Sequence, residues 1–473
     1  MPRTFLLNGA WTSSASSFEV RAPWDRQLIE TVCRPSLEQI EKALAATAKA
    51  SEVLKALPIH ARADLLARMA EGVSAKAEAL ARTIAREAGK PLKDARGEVG
   101  RAVGTLRWAA EEARRWGGEW FPLDATPGPA LAGRSALVRR FPVGPVLAIT
   151  PFNFPLNLAC HKIAPALAVG CPVLHKPASQ TPLSALLLAE IAMEAGVPAG
   201  ALQTLPMTSA ETENLLADDR IAAVSFTGSP AVGWALRAKA GTKRVSLELG
   251  GNAAVVIEEA EDLEAVAKRC AVGAFAYAGQ VCISVQRIYV RRALYQEFLT
   301  RFVAAAKALK IGDPLAEGTD LGPMISAEAL SRTAAWVDEA RRNGAEVLCG
   351  GKSEGPCYLP TVLTKVKPGC KAYDEEAFAP LALVEPFDNL EAAFAAVNAS
   401  RFGLQAGIYA RDWRTIARAH EALEVGGVIV NDVPSFRADP MPYGGAKASG
   451  LGREGLRYAM EEMTERRVLV LDR

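Results

Sequence analysis

Three residues of different chemistry stand where apolar runs give way to turns. Cys282 follows Gly279-Gln280-Val281 and precedes the apolar run that starts at Val285. A thiol on a tight turn at an element boundary can be presented to a cleft, where its thiolate is a strong nucleophile. Glu248 stands near the end of the segment Val245–Leu249, which runs into Gly250-Gly251. A carboxylate in apolar surroundings has its pKa raised toward neutrality, which suits a general base. Asn153, in Pro151-Phe152-Asn153-Phe154-Pro155, offers a neutral NH₂ donor at the start of a helix, which is what an oxyanion hole requires. Alone, each has an ordinary reading: an inert buried thiol, a solvated carboxylate and a helix cap.

A fourth feature points to phosphate. Phe226-Thr227-Gly228-Ser229-Pro230-Ala231-Val232-Gly233 reads as a strand running into a helix with small first residues, whose N-terminus can hold a pyrophosphate. The spacing is not GxGxxG, and close helix packing explains the two glycines equally well.

The elements that must position these residues come in two rhythms. From Ser36 to Trp116 the chain is helical in period, broken at Leu57-Pro58 and at Gly89-Lys90-Pro91. The stretch 117–136 carries Pro and Gly without helical period and reads as a loop or extended connection. Beyond it short β-like runs alternate with helices: Val143–Thr150, helix 155–169, Pro172–His175, helix 182–195, Ala201–Leu205, helix 210–217, Ala222–Phe226, helix 230–238 and Val245–Leu249. That alternation predicts a parallel, doubly wound sheet whose ligand lies beyond the carboxyl ends of the strands. A second alternating block follows, with Ala253–Ile257, helix 263–278 capped by Gly279, Val285–Val290, helix 293–308, Glu346–Leu348, helix 389–400, Gly407–Tyr409, helix 412–424 and Val428–Val430. Arg466–Leu471 reads as a terminal strand that pairs with 121–141 or with another subunit.

Composition bounds the rest. A chain of 473 residues, 50% hydrophobic, is long enough for two or three cored domains. Lys plus Arg total 55 against 53 Asp plus Glu, and a net charge of +2 argues for neither nucleic acid nor an anionic membrane as partner. The start of the chain lacks the apolar core and cleavage site of a secretory signal, and no run approaches a membrane span. Eight cysteines without a CxxC pair fit reduced thiols in a cytoplasm, and four histidines without ligand spacing argue against a metal enzyme.

Taken together the motifs resemble the aldehyde dehydrogenase superfamily. The resemblance rests on Phe226-Thr227-Gly228-Ser229, Leu247-Glu248-Leu249-Gly250-Gly251, Gly279-Gln280-Val281-Cys282, Glu376-Ala377-Phe378 with Pro380, and Pro442-Tyr443-Gly444-Gly445 with Lys447 and Ser449-Gly450, in order over essentially the whole chain. It implies an α/β fold: a Rossmann-type dinucleotide-binding domain (1–120 and 142–250), an α/β catalytic domain (251–458) and a small β oligomerisation element (121–141 and 459–473). It also implies that Cys282 is the nucleophile, Glu248 the base, and Asn153 with the Cys282 N–H the oxyanion hole. Thr150, Pro151, Phe152, Lys176, Ala178, Ser179, Gly228, Ser229, Gly233, Leu249, Glu376 and Phe378 would hold the dinucleotide. Lys176 and Glu376 are assigned to its riboses, Ser229 to its pyrophosphate.

Two departures from the family pattern matter. Members that prefer NAD commonly carry Glu three residues after the lysine, where this chain has Ser179, so NADP or dual use enters beside NAD. Ala379 stands where glycine is usual. Asn157 and His161 fall one turn apart, and with Arg101 and Arg437 they are candidates to line a polar tunnel for a small hydroxylated or anionic aldehyde. The overall look is nearest the branch of lactaldehyde-type and phosphonoacetaldehyde-type enzymes. Two alternatives stay open: a coenzyme A-acylating dehydrogenase, which typically lacks the glutamate, and a non-catalytic dinucleotide-binding relative. A homodimer or homotetramer is the expected assembly.

Overall fold

The computed structural model describes residues 1–472. Two sheets carry the architecture. The first has eight strands in the order Ala10–Thr12, Phe5–Leu7, Leu202–Thr204, Val173–Lys176, Val146–Ile149, Ala223–Thr227, Arg244–Glu248 and Gly450–Leu451. Its five central strands are parallel. From Val146–Ile149 the chain winds outward one way through Val173–Lys176 and Leu202–Thr204, then returns to the other side for Ala223–Thr227. Strand order therefore reverses between Val146–Ile149 and Ala223–Thr227, and the crevice beyond their carboxyl ends is where such a sheet binds ligands. The alternation expected from sequence is present, with ends moved by a few residues.

The second sheet runs Glu346–Cys349, Thr361–Thr364, Leu381–Phe387, Val285–Arg291, Ala253–Ile257, Gln405–Tyr409 and Gly427–Val430, antiparallel only at the first pair. Its Thr361–Thr364 and Leu381–Phe387 strands and the helix Ala327–Arg342 were not read from sequence. Four-residue runs such as Thr-Val-Leu-Thr are too short to show a period. The same holds for Phe5–Leu7, and the hairpin Ser16–Arg21/Leu28–Arg34 was likewise missed.

The helical region divides at Leu57-Pro58 and Gly89-Lys90-Pro91 as expected and also at Lys76, which no Pro or Gly marks, into Leu37–Ala56, Ile59–Ala75, Ala77–Ala88 and Leu92–Arg114. Two of these helices supply caps to others. Glu98 Oε1 accepts from the N–H groups of Leu156 (2.9 Å) and Asn157 (3.1 Å), at the start of the buried helix Asn157–Val169. Its Oε2 takes the Lys90 ammonium at 2.5 Å. Glu87 does the same for Leu183 (2.7 Å) and Ser184 (2.9 Å) at the next helix. Helix N-termini leave N–H groups unpaired, and a carboxylate satisfies them while facing the positive end of the dipole.

The terminal strand Thr464–Leu471 pairs antiparallel with Ser135–Pro142, which pairs in turn with Glu119–Pro122. The chain crosses back to the first sheet at Gly450–Leu451, and Leu456, Met460 and Met463 enter the core of the helical layer. That return precedes position 458, where the sequence reading placed the end of the second domain. Among the described residues no helix is long and apolar enough to cross a membrane, and no three metal-binding side chains cluster.

Candidate active site

The crevice at the reversal point opens into a cavity of about 630 Å³. It is lined from the first sheet by Pro151, Phe152 and Asn153, by Thr227 to Ala231, and by Glu248, Leu249 and Gly250; from the second lobe by Val281, Cys282 and Ile283, by Glu376 and Phe378, and by Arg437, Tyr443 and Glu454.

Cys282 reaches it by a turn that differs from expectation. The α-helix stops at Phe275, and Tyr277 (φ 49), Ala278 (φ 53) and Gly279 (φ 66) follow in the left-handed region. A Cβ at Gly279 would lie 2.1 Å from the Ala379 carbonyl oxygen, so the glycine is required by close approach as well as by φ. Alone among the eight cysteines, Cys282 is half-buried; the other seven are buried. Its Sγ lies 3.0 Å from Tyr443 Oη. Burial pushes the thiol up to about 11, opposed by the Tyr443 hydrogen bond and the Arg437 charge.

Glu248 ends its strand 3% exposed, and neither carboxylate oxygen has a hydrogen-bond partner. Burial, then repulsion from Glu454, raises its pKa well above the ordinary range, against Arg437, Lys162 and Arg453. An unsatisfied buried carboxylate is costly, and its protonation is the usual relief. Asn153 is also buried; its Nδ2 donates to the Gln280 carbonyl at 3.0 Å, which orients the amide and leaves the second N–H free.

The other end suits a dinucleotide. Thr227 Oγ1 is buried without a partner beside the N-terminus of the helix Pro230–Lys239, whose cap residue Ser229 makes no side-chain cap bond. Free N–H groups there offer an anion site. Glu376 Oε1 accepts from Gly251 N–H at 3.0 Å, and a Cβ on Gly250 would lie 2.2 Å from Glu376 Oε2, so this glycine makes room for the carboxylate. Phe378 meets Phe152 edge-on at 5.9 Å. Of the expected dinucleotide residues, Pro151, Phe152, Gly228, Ser229, Leu249, Glu376 and Phe378 line the cavity. The others do not. Thr150 bonds His175 at 2.9 Å, and Gly233 is packed under Leu249 and Phe226. Lys176, Ala178 and Ser179 lie at and just after the end of the neighbouring strand.

The four expected substrate residues divide. Arg101, Asn157 and Arg437 line the cavity; His161 does not. Its Nε2–H donates to Asp439 Oδ1 at 2.8 Å behind the lining residues, and burial, then the Arg437 charge, lowers its pKa. Asp439 also receives Asn157 at 3.2 Å and the Arg101 guanidinium at 2.6 and 3.2 Å. Burial alone would raise Asp439, but these His161 and Arg101 contacts hold it far below the carboxylate range. Arg437, 7% exposed, pairs with Glu454 at 3.0 Å, and Glu454 takes Lys162 at 2.9 Å. Sequence reasoning missed Asp439, Glu454, Lys162, Trp234, Arg332 and Arg401. Only Glu454 had a local signal, Gly452-Arg453-Glu454-Gly455 directly after the Ser449-Gly450 motif.

Residues 11–469 match the Aldehyde dehydrogenase family. The chain belongs to that family. It is thus an NAD(P)-dependent oxidoreductase acting on aldehydes. It is 43% identical to 3-sulfolactaldehyde dehydrogenase of Priestia aryabhattai over 468 residues, 98% of this chain and 97% of that one. Among solved structures, aldehyde dehydrogenase 21 of Physcomitrella patens, in complex with the reaction product succinate, superposes with a TM-score of 0.98 at 40% identity, covering 100% of this chain and 99% of that one. Glyceraldehyde-3-phosphate dehydrogenase GapN of Methanocaldococcus jannaschii, complexed with NADP, superposes at 0.92 with 38% identity over 97% and 100%.

Proposed function

We propose that this dehydrogenase oxidises a small anionic aldehyde to its carboxylic acid, with Cys282 as nucleophile, Glu248 as base and Asn153 as oxyanion donor. The observation that carries this is the meeting in one cavity of the half-buried thiol, the unpartnered Glu248 and Arg437. The Cys282 thiolate forms the S–C bond, and the carbonyl oxygen takes up the charge against Asn153 Nδ2–H and the Cys282 N–H. Gly228, Ser229, Glu376 and Phe378 would hold a nicotinamide dinucleotide, which would supply the hydride acceptor, and loss of hydride from the carbon bonded to sulfur leaves a thioester on Cys282. Glu248 then takes a proton from water as its oxygen attacks the acyl carbon; the C–S bond breaks and the electron pair returns to sulfur. A free, base-like carboxylate favours water over coenzyme A as acceptor.

The guanidinium groups at the substrate end support an anion. Arg101 and Arg437 both line the cavity, held in place by Asp439 and Glu454 respectively. The sulfonate-bearing substrate named for the Priestia relative and the dicarboxylate product in the moss structure agree in sign. For the cofactor, Lys176 is pressed below the usual lysine range by burial and by the Arg34 guanidinium. Lys176 and Arg34, close enough for one charge to act on the other and neither in an ion pair among the described residues, favour a 2′-phosphate and hence NADP. Exposed Val468, Leu469 and Val470 on the terminal strand support a homodimer or homotetramer, and eight free cysteines suit the cytoplasm.

The deciding experiment is a screen of short anionic, hydroxylated and aliphatic aldehydes with each cofactor. Sulfonate- or carboxylate-bearing aldehydes are expected to give the highest kcat/KM, and a preference for hexanal would reject the anionic reading. Cys282→Ser is expected to abolish turnover.

A further inference from the structure

The hydrogen bond on Cys282 comes from a side chain that the acyl-transfer scheme above leaves without a task. Tyr443 is 2% exposed, and its Oη sits 3.0 Å from Sγ, short for a bond involving sulfur. Its backbone is bridged in both directions to Glu454, with Tyr443 N–H to Glu454 O at 3.0 Å and Glu454 N–H to Tyr443 O at 2.7 Å. Glu454 also holds Arg437, whose guanidinium lies 3.7 Å from the centre of the Tyr443 ring. One residue thus fixes the phenol from its backbone and, through Arg437, from its face. A cation against the ring draws electron density from it and polarises the O–H toward the sulfur.

From this geometry we infer that Tyr443, held by the Arg437–Glu454 pair, is a catalytic hydrogen-bond donor to the Cys282 sulfur, stabilising the thiolate before attack and again when the thioester expels it. The inference rests on the reading of Cys282 as the nucleophile. In the first role the thiol proton leaves to solvent through the open cavity and the phenol O–H donates to the sulfur anion, a charge-assisted bond. In the second, the electron pair of the breaking C–S bond returns to a sulfur already facing that donor. Burial and the neighbouring Cys282 raise the Tyr443 pKa well above the usual phenol range, so the group remains a donor while the sulfur is an anion. Arg437 is a positioning residue in this scheme; Tyr443 touches the reacting atom.

The test removes one oxygen. In Tyr443→Phe protein the pH midpoint of iodoacetamide alkylation is expected to rise by about one unit, the scale of one lost charge-assisted bond. The other seven cysteines are buried, so alkylation reports Cys282, with Cys282→Ala as the blank. At neutral pH kcat/KM is expected to fall about tenfold, with the deficit shrinking as pH rises through the thiol midpoint. Arg437→Lys is expected to move the midpoint the same way by less. An unchanged midpoint in Tyr443→Phe overturns the inference even if turnover falls, since a merely structural role would cost rate without moving the titration. Should Tyr443→Phe fail to fold, 3-fluorotyrosine at 443, a more acidic donor of nearly the same size, decides instead: a lowered midpoint supports the inference and an unchanged one overturns it. Turnover by Cys282→Ser defeats the parent reading, whatever the midpoint does.

Discussion

Glu98 and Glu248 are both buried glutamates, one in the helical layer and one in the cavity, and the fold treats them oppositely. Both oxygens of Glu98 are partnered: Lys90 on one, the N–H groups of Leu156 and Asn157 on the other. Neither oxygen of Glu248 has a partner. A satisfied buried carboxylate fixes structure, and here it anchors the helix that begins just after Asn153. An unsatisfied one is held at a cost in stability and is free to move a proton.

The largest way to break that comparison is Glu248→Gln. The amide cannot accept a proton from water, so steady-state turnover is expected to fall about 10³-fold. A single turnover of reduced cofactor should still appear as a burst followed by a stable acyl-enzyme. Loss of the burst as well would place Glu248 in the first half-reaction. The fold should tolerate the change, because no hydrogen bond is lost.

Glu98→Ala should do the reverse. It strands the Lys90 ammonium, 1% exposed, among the rings of Phe154 and Tyr277 at 3.5 and 4.6 Å, and uncaps the helix. Removing one partner of a buried ion pair typically costs about 3–5 kcal/mol, measurable as a lowered denaturant midpoint. A change of under about 1 kcal/mol would mean that water or the two rings satisfy Lys90.

How much of this contrast was legible in the sequence follows from range. Cys282, Glu248 and Asn153 each sit in a short contiguous motif at the end of an element, and the alternation of runs placed the Glu248 and Asn153 ends on one side of a sheet. Glu98 gave no signal, because the N–H groups it caps lie 58 and 59 residues away across a helix interface. Arg332 belongs to a helix missed altogether, and Asp439 to a loop without period. His161 was placed correctly on its helix but faces Asp439 rather than the cavity, since the 3.6-residue period gives a face and not what lies opposite it. The Cys282 turn was read as a glycine-capped helix because Tyr277 and Ala278 are residue types that seldom adopt left-handed φ.

Protonation sharpens the same comparison. The Glu248 pKa is raised on folding, so its contribution to stability is fully present below the unfolded carboxyl value and is lost as pH rises through the folded value. Glu454 is the opposite case: burial resists ionisation, but Lys162 and Arg437 hold it far below the usual range, so its contribution is lost as pH falls. Melting curves of Glu248→Gln and the unaltered protein should therefore diverge toward alkaline pH, with the glutamine protein the more stable. Acyl-enzyme hydrolysis in the unaltered protein should accelerate over the same range. Parallel melting curves would show that Glu248 finds a partner in solution.

The smallest expected effect concerns a carboxylate the chain lacks. Ser179→Glu places an acid near Lys176, where it can pair with the ammonium, accept a ribose hydroxyl and repel a 2′-phosphate. The ratio of kcat/KM for NADP to that for NAD should fall about tenfold, mostly through KM for NADP. This position lies outside the cavity that joins Cys282 to Glu248, so kcat with NAD should hold. If the ratio stayed fixed while Arg34→Ala lowered it, cation placement rather than an absent acid would set the preference, and discrimination would lie with the end of the Leu28–Arg34 strand, an element the sequence did not announce.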